Sequence, residues 1–332
     1  MKVAFFSAKH FERLVFDRYN STKSHSFQYL DTHLGPGTAS LAQGAEAVCA
    51  FVSDSLGAET LEILAKGGCR LIALRSAGFN HVDLTTAARL GIKVVRVPAY
   101  SPHAIAEHTL GLMLCLNRKI HKAYARVREG NFSLDGLVGF DLSSRSVGVV
   151  GTGLIGALVA RSLLGLGCRV LAYDPQPRTD LQALGVSYLS REDLLEQSDI
   201  ITLHCPLTPA TKHLIDAAAL RRMRKGAMLI NTGRGGLVDT KAVIEALKSG
   251  HLGYLGLDVY EEEADLFFED LSGQVIDDDV FARLLTFPNV LITGHQAFLT
   301  DEALAGIAQT TLQNLTDFEC GNSLRNEVVA RN

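Results

Sequence analysis

The feature that most constrains the fold is a glycine-rich hexad in the middle of the chain. Its sequence is Gly151-Thr152-Gly153-Leu154-Ile155-Gly156. It follows an apolar β-type run, Ser146–Val150, and opens a helical pattern. Asp174 ends the next apolar stretch, 18 positions after Gly156. A hexad between a strand and a helix, with an acid about 20 residues further on, is the full fingerprint of dinucleotide binding.

Each glycine of the hexad has a physical task. Gly151 permits a tight turn, Gly153 lets the backbone approach a pyrophosphate, and Gly156 lets the helix pack closely on the strand. The N-terminus of the helix then offers free N–H groups and its dipole to the phosphates. Because about 145 residues precede the hexad, we expect another domain there, opposite which a substrate would lie.

Composition limits the kind of partner. With 332 residues the chain is long enough for two domains, and 47% apolar and 20% charged residues are ordinary for a globular protein. A net charge of −4 gives no reason to expect nucleic acid or an anionic membrane as partner. The six cysteines form no C-x-x-C pair or zinc-like group, so we expect no metal site. We find no signal peptide and no run of 18 apolar residues, and therefore expect no membrane span and a cytoplasmic address.

Strand and helix patterns alternate throughout, which predicts α/β layers around mostly parallel sheets. The predicted strands are 3–6, 48–52, 71–74, 94–97, 146–150, 170–173, 200–203, 228–231, 255–258 and 290–293. We also predict one long helix over 104–129 and a C-terminal helix over 301–318 that returns to the first domain. The acidic stretch 261–279 is interpreted as a long, partly ordered loop.

Three polar side chains follow predicted strands in the second half, where a doubly wound sheet binds its ligands. Arg234 lies between glycines and can grip a carboxylate with two hydrogen bonds. Glu263 ends an acidic run, and His295 follows the last strand. Taken singly, each has an ordinary reading: a surface arginine, a solvated acidic loop and a structural histidine. Together they supply a carboxylate clamp, an orienting acid and a proton donor, the set that a reductase of 2-keto acids needs.

These motifs resemble the D-isomer-specific 2-hydroxyacid dehydrogenases over essentially the whole chain. The resemblance rests on the hexad with Asp174, on His204-Cys205-Pro206-Leu207-Thr208, and on segments 231–239, 257–263 and 294–295. Within that family, segments 75–80, 97–102, 265–270 and 295–300 are most similar to the fermentative D-lactate dehydrogenases.

The resemblance implies an architecture and a set of ligands. The α/β fold would be two doubly wound domains, with a Rossmann NAD-binding domain (100–299) inserted into a flavodoxin-like substrate (catalytic) domain (1–99 plus 300–332). NAD would be the cofactor, and pyruvate and D-lactate the substrate pair. The family also implies a homo-oligomer, a dimer or tetramer, with the 104–129 helical pattern as the contact.

The resemblance also implies roles for individual residues. Arg234 would bind the substrate carboxylate and polarise the ketone, His295 would give its proton to the carbonyl oxygen, and Glu263 would hydrogen-bond His295. The substrate would further meet the backbone of one loop, its supporting arginine and two pocket side chains: Ala77, Gly78, Arg75, Tyr100 and Phe298. The cofactor would be lined by Gly151, Gly153, Leu154, Ile155, Gly156, Asp174, Cys205, Pro206, Thr232, Gly233 and Asp258.

Several points stay open at the level of sequence. Gly233 departs from the family, which more often has Ala or Ser before the arginine, and this could loosen the loop that carries Arg234. Asp174 should repel a 2′-phosphate and favour NAD over NADP, although Arg178 is close enough in sequence to oppose it. Glyoxylate, hydroxypyruvate or bulkier 2-keto acids remain alternative substrates. A further alternative is an NAD-sensing binding protein, since a fold alone does not fix function.

Overall fold

Parallel β-sheets organise both parts of the chain. The computed structural model describes residues 1–21, 24–263, 266–268 and 270–330. The chain divides into two compact units, Met1–Ser101 with Leu299–Asn332, and Pro102–Phe298. Every strand pairing within the described residues is parallel, in a sheet of five strands and a sheet of seven. The predicted α/β class with two parallel sheets is confirmed.

The first unit contains the five-stranded sheet. Its elements are β1 (Lys2–Phe5), α1 (His10–Tyr19), β2 (Ser26–Tyr29), β3 (Ala47–Ala50), α2 (Ala58–Lys66), β4 (Leu71–Leu74), α3 (Leu84–Arg89), β5 (Lys93–Val95) and the C-terminal α12 (Asp301–Glu319). The strand order β2-β1-β3-β4-β5 is the flavodoxin-like order. The middle strands β3 and β4 are buried along their full length, which explains their continuous apolar sequences.

The second unit contains the seven-stranded sheet. Its elements are α4 (Pro102–Arg118), α5 (Ile120–Arg128), β6 (Ser146–Val150), α6 (Leu154–Gly165), β7 (Arg169–Tyr173), α7 (Thr179–Ala183), β8 (Ser187–Tyr188), α8 (Arg191–Gln197), β9 (Ile200–Leu203), α9 (Ala217–Arg222), β10 (Ala227–Asn231), α10 (Thr240–Lys248), β11 (Leu252–Leu257), α11 (Asp279–Leu285) and β12 (Val290–Ile292). The strand order is β12-β11-β10-β9-β6-β7-β8. This is the Rossmann order with one additional strand. From β6, strands β7 and β8 extend the sheet on one side and strands β9 to β12 extend it on the other, so the strand order switches sides between β6 and β9. A ligand crevice is therefore expected beyond the carboxyl ends of these two strands.

Helix starts in this unit follow their predicted capping residues. Ser190 accepts a hydrogen bond from the Asp193 N–H at 3.1 Å. Asp216 and Asp239 likewise accept from backbone N–H groups of α9 and α10, at 2.8 and 3.1 Å. These side chains satisfy N–H groups that the first turn of a helix leaves unpaired.

The prediction of one long helix over 104–129 is wrong in one respect, because this segment forms two helices, α4 and α5. Lys119 separates α4 from α5 with a φ of +51°, a left-handed backbone that a helix interior does not contain. The Lys119 side chain donates to the Val138 carbonyl and lies over the Tyr254 ring. These contacts come from distant segments, so the apolar periodicity did not indicate the break.

Two residues of the segment 265–270, Asp265 and Glu269, lie outside the described residues. Within the part of the chain that is described, no helix is long and apolar enough to cross a membrane.

Candidate active site

The glycine-rich turn has the geometry that a dinucleotide requires. Gly151 has a φ of +90°, and a Cβ there would lie 2.6 Å from the Cys205 nitrogen. A Cβ on Gly156 would lie 1.9 Å from the Gly151 carbonyl oxygen, so the helix packs directly on the turn. Around Gly153, by contrast, no heavy atom lies within 4 Å of the Cβ position. The turn is therefore closed toward the protein and open at the one position where a pyrophosphate must approach.

Asp174 lies at the end of β7 and is bound to this turn. Its Oδ2 accepts from the Thr152 N–H at 2.6 Å and from the Thr152 hydroxyl at 3.2 Å, while Oδ1 accepts from the Gln176 N–H at 2.9 Å. The carboxylate thus orders the turn itself. Arg178, which could have favoured a 2′-phosphate, is held by Asp180 through two hydrogen bonds of 3.0 and 2.8 Å.

Apart from Asp174, three side chains beside the turn are apolar or uncharged. Leu154 is 64% exposed at the start of α6, and a bound cofactor would reduce this exposure. Burial raises the pKa of the Cys205 thiol to about 11 and lowers the pKa of His204 to about 4. Both side chains are therefore uncharged near neutral pH. No cluster of three or more potential metal ligands occurs among the described residues.

The three candidate catalytic residues follow three neighbouring strands. Asn231 of β10 is in register with Leu257 of β11, and Leu257 is in register with Ile292 of β12. Because these strands are parallel, the segments that follow them leave the sheet at the same edge. Arg234, Glu263 and His295 stand on those segments.

Arg234 is held on a tightly packed loop and has no charged partner among the residues that the structure describes. The buried Asn231 side chain accepts from the Gly233 N–H at 3.0 Å and donates to the Arg234 carbonyl at 2.8 Å. A Cβ on Gly235 would lie 2.0 Å from the Tyr260 carbonyl oxygen, so this loop touches the end of β11. The half-buried guanidinium donates to the Gly233 carbonyl at 2.7 Å and, within the described residues, makes no ion pair. It is available for an anionic ligand.

His295 and Glu263 form the pair that the sequence predicted. The His295 Nδ1 lies 2.7 Å from the Glu263 Oε1, with side chains that are 18% and 24% exposed. The other carboxylate oxygen accepts from the Tyr260 N–H at 3.0 Å, which fixes the carboxylate. Since a carboxylate only accepts, Nδ1 carries the proton of this bond and Nε2 is left to act on a ligand.

Asp258 has a role that the sequence did not indicate. Its side chain is fully buried, and its carboxylate accepts from the backbone N–H groups of Gln296 and Ala297, both at 2.9 Å, and from the Thr293 hydroxyl at 2.5 Å. Its carbonyl accepts from the His295 N–H at 2.8 Å. These bonds hold His295 at a φ of +52°, a left-handed conformation that is unfavourable for a non-glycine residue. The structure thus shows Asp258 positioning His295, whereas the cofactor contact predicted for Asp258 stays a prediction.

Helix α4 supports both loops that carry candidate catalytic residues, through two adjacent side chains. The His108 Nε2 lies 3.0 Å from the Thr293 hydroxyl and 3.4 Å from the Asp258 carboxylate. Thr109 is buried, and its hydroxyl lies 2.8 Å from that of Thr232. Neither residue belongs to a recognisable motif. The only sequence signal is their position on a predicted helix before the hexad.

In the first unit, Arg75 is structural and the neighbouring loop offers free donors. Arg75 is 2% exposed and donates to both Glu12 carboxylate oxygens at 2.8 and 3.2 Å. It therefore supports the loop from the interior of this unit. The Ala77 and Gly78 carbonyls accept from Arg96 and Ser76, both at 2.7 Å. Their N–H groups have no acceptor within the described chain, and two adjacent free N–H groups suit an anion. Of the predicted pocket residues, Tyr100 belongs to this unit and Phe298 to the other, and both are half-buried.

The fold and these contacts define a class of protein. A Rossmann sheet with a complete dinucleotide turn carries at its ligand edge a histidine–glutamate pair and an arginine that makes no ion pair with any described residue. This is the arrangement of a nicotinamide-dependent oxidoreductase acting on a carboxylate. Residues 110–297 match the family model for the D-isomer specific 2-hydroxyacid dehydrogenase, NAD binding domain.

Curated proteins and solved structures agree with this match. The chain is 53% identical over 324 residues to 2-hydroxyacid dehydrogenase homolog 1 of Schizosaccharomyces pombe, covering 97% of this chain and 98% of that protein. It is 52% identical over 329 residues to the D-lactate dehydrogenase of Escherichia coli, covering 99% and 100%. It superimposes with a TM-score of 0.93 and 45% identity on a structure described as the pyruvate reductase of Chlamydomonas reinhardtii, covering 98% of each chain. The chain belongs to the D-isomer-specific 2-hydroxyacid dehydrogenase family, as its motifs predicted, and the cofactor prediction of NAD is confirmed.

Proposed function

We propose that this protein reduces pyruvate to D-lactate with NADH, and that Arg234, Glu263 and His295 perform the catalysis. The observation that carries the proposal is the Glu263–His295 pair at 2.7 Å, on the same sheet edge as an arginine that no carboxylate of the described residues pairs with. The names of the relatives support the substrate, since they include a D-lactate dehydrogenase and a pyruvate reductase.

Arg234 binds the substrate carboxylate in this proposal. A guanidinium presents two parallel N–H groups that match the two oxygens of a carboxylate. The positive charge of the guanidinium also polarises the adjacent ketone and stabilises the negative charge that develops on the carbonyl oxygen.

His295 acts as the general acid. Glu263 orients the imidazole through Nδ1 and stabilises its cationic form, so that Nε2 can donate a proton to the carbonyl oxygen as it becomes an alkoxide. The reverse reaction needs the neutral imidazole as base. The rigid support of the histidine by Asp258 keeps Nε2 in a fixed direction, which favours proton transfer over a short distance.

The residues of the glycine-rich turn fit the cofactor. Gly153 leaves space for the pyrophosphate, the N-terminus of α6 provides N–H donors, and Asp174 is placed to accept from ribose hydroxyls. When bound, the nicotinamide supplies the hydride for the carbonyl carbon. The protein contributes position and charge.

The first unit is proposed to bind the substrate through backbone groups. The free N–H groups of Ala77 and Gly78 are suitable donors to a carboxylate, and Arg75 holds the loop that carries them. Tyr100 and Phe298 are assigned to a pocket that accepts a methyl group. These assignments come from the family pattern.

A second copy of this chain is the proposed partner, through α5 and the segment that follows it. None of the residues of α5 is buried, yet Ile120, Tyr124 and Val127 share one face and are 52–64% exposed. Phe132 and Leu134 are 74% and 79% exposed. An isolated helix of nine residues is marginal in water, so a covering surface is expected.

All six cysteines are free, which favours a reducing compartment such as the cytoplasm.

The test is a spectrophotometric assay of purified protein with NADH and a panel of 2-keto acids, followed by chiral analysis of the product. Rapid turnover of pyruvate to D-lactate, lost in His295→Ala, is the expected result. Faster turnover of glyoxylate, hydroxypyruvate or a bulkier keto acid would retain the chemistry and refute the methyl pocket. Binding of NADH without turnover of any 2-keto acid would overturn the proposal in favour of an NAD-sensing protein.

A further inference from the structure

A cationic pocket lies at the edge of the seven-stranded sheet opposite to the catalytic residues. It has a volume of about 180 Å³. Arg145 directly precedes β6, Asp199 directly precedes β9, and Lys225 stands two residues before β10. These amino-terminal strand ends form the far edge of a parallel sheet. The pocket therefore shares no residue with the proposed active site.

The charges in this pocket do not balance. Arg145, Arg224 and Lys225 line it together with a single carboxylate, Asp199. The Asp199 Oδ1 accepts from Arg224 at 2.8 Å, and Oδ2 accepts from the Ser146 N–H at 2.9 Å. Each carboxylate oxygen thus already accepts a hydrogen bond, and within the described residues Arg145 and Lys225 have no ion pair.

Arg145 contributes an unsatisfied hydrogen-bond donor to the lining of the pocket. Its Nε is buried and has no hydrogen-bond acceptor in the described part of the protein. Its guanidinium carbon lies 4.6 Å from the centroid of the Phe140 ring, so the side chain is held by stacking. A buried N–H without an acceptor costs free energy, and native proteins rarely leave one unpaired.

We propose that this pocket binds a compact oxyanion of the phosphate class, either inorganic phosphate or a phosphate monoester. The fixed guanidinium of Arg145 would donate to the oxyanion, and Lys225 would contribute a second charge. The pocket greatly exceeds the roughly 10–15 Å³ that one water molecule needs, so it can hold a tetrahedral anion. Asp199 already neutralises Arg224, which leaves a net charge of about +2 to match a dianion.

The experiment measures anion binding to the NADH-saturated protein, because NADH fills the phosphate-binding turn at the other edge. Inorganic phosphate and glycerol 3-phosphate are titrated separately at constant ionic strength with sodium chloride, using thermal unfolding and isothermal titration calorimetry. We expect saturable binding of at least one of them, with a rise in Tm of about 2–4 °C. Binding of phosphate alone identifies the free ion as the ligand, and tighter binding of the ester identifies an organic phosphate.

Three variants locate the site. Arg145→Gln and Lys225→Gln should each weaken the binding by about 10–100-fold, the effect of losing a hydrogen bond to a charged group. Arg169→Gln is the matched control, since it removes an exposed arginine of the same domain that does not line the pocket. The exposed Lys225 gives a test that does not depend on the folding of the Arg145 variant.

The outcomes are distinct. No saturable effect beyond that of sodium chloride in the wild-type protein would overturn the proposal. Equal binding to Arg145→Gln, Lys225→Gln and the wild type would also overturn it, because the anion would then bind elsewhere, for example at Arg234. Neither result depends on whether pyruvate is the substrate.

Discussion

His295 shows how much of the geometry of a candidate catalytic residue is set outside its own sequence position. Its place after a strand of the nucleotide-binding sheet was enough to predict its pairing with Glu263, which the structure shows, whereas its role as proton donor stays a prediction. Its left-handed backbone and the buried Asp258 that fixes it were not predictable, because both depend on hydrogen bonds between separate strands. Local sequence indicates which chemical groups are present at a sheet edge, whereas tertiary contacts fix their orientation.

The first prediction at this scale concerns the pH dependence of Glu263→Gln. Reduction needs protonated His295, so its rate falls as the pH rises. A neutral amide in place of the Glu263 carboxylate stabilises the imidazolium less, and the fall should therefore come at lower pH in the variant than in the wild type. The measurement is kcat/KM for pyruvate against pH, with a single-turnover experiment to establish that chemistry limits the rate.

Glu262→Gln is the matched control for this profile. It removes the same charge one position away, from an exposed side chain without a contact to His295. Its profile should superimpose on that of the wild type. Identical profiles for wild type and Glu263→Gln would contradict the role assigned to the pair.

The second prediction concerns Arg234→Lys. The variant keeps the positive charge but loses the two parallel donors, so kcat/KM for pyruvate should fall by about 10²–10³-fold. Affinity for NADH, measured by fluorescence titration, should change little. Arg221→Lys, an exposed arginine of the same domain, should leave both quantities unchanged. A small loss at Arg234, comparable to that at Arg221, would show that the substrate carboxylate is bound by another group.

At the scale of elements, buried parallel strands were the most predictable part of the fold. Strands such as β3, β4, β9 and β10 are buried along their length, and their sequences are accordingly apolar apart from Thr202 in β9 and Asn231 at the end of β10. The edge strand β2 alternates between exposed and half-buried residues, and β8 has only two residues, so neither gave a clear pattern. The break between α4 and α5 was missed for a related reason: lysine has no intrinsic preference for a left-handed backbone, and distant contacts hold it there.

The third prediction belongs to the loop after β10 and compares two glycines on either side of Arg234. A Cβ at position 235 would lie 2.0 Å from the Tyr260 carbonyl oxygen, which is backbone and cannot move aside. At position 233 the nearest atom is the Leu203 carbonyl oxygen at 3.3 Å, a tight but tolerable contact. Gly235→Ala should therefore destabilise the protein by about 1–3 kcal/mol and raise KM for pyruvate, whereas Gly233→Ala should change both only slightly.

Chemical denaturation and steady-state kinetics on the two variants provide the measurement. Each variant adds one methyl group to the same loop, so each controls for the other. The result also decides whether Gly233, which departs from the family pattern, loosens the loop: greater stability and unchanged kinetics for Gly233→Ala would show that the glycine contributes only flexibility of the unfolded chain. An equal loss of stability and an equal rise in KM in both variants would contradict the packing described for Gly235.

For the whole molecule, the position of the hexad predicted more about the division of the chain into units than the predicted strands did. A dinucleotide turn in the middle of the chain implies that the nucleotide-binding unit is preceded by another unit, and the chain divides at Ser101/Pro102 and Phe298/Leu299. What covers α5 could not be derived from periodicity, because an amphipathic pattern does not distinguish the core of its own domain from the surface of a partner.

The last prediction tests the partner of α5. A charged residue on the shared apolar face should prevent a second copy from covering it, since an unpaired carboxylate cannot be buried cheaply in an interface. We expect the wild-type protein to be an oligomer in size-exclusion chromatography with light scattering, and Tyr124→Glu/Val127→Glu to be a monomer with a lower Tm. Val275→Glu is the matched control, because Val275 is 87% exposed in the same unit but lies outside the α5 face. It should leave the mass and the Tm unchanged. If the double variant retains the mass of the wild-type oligomer, then α5 is not the contact between copies. If the wild-type protein is a monomer, the proposed second copy is refuted, and the exposed apolar face of α5 is stable in water without a partner.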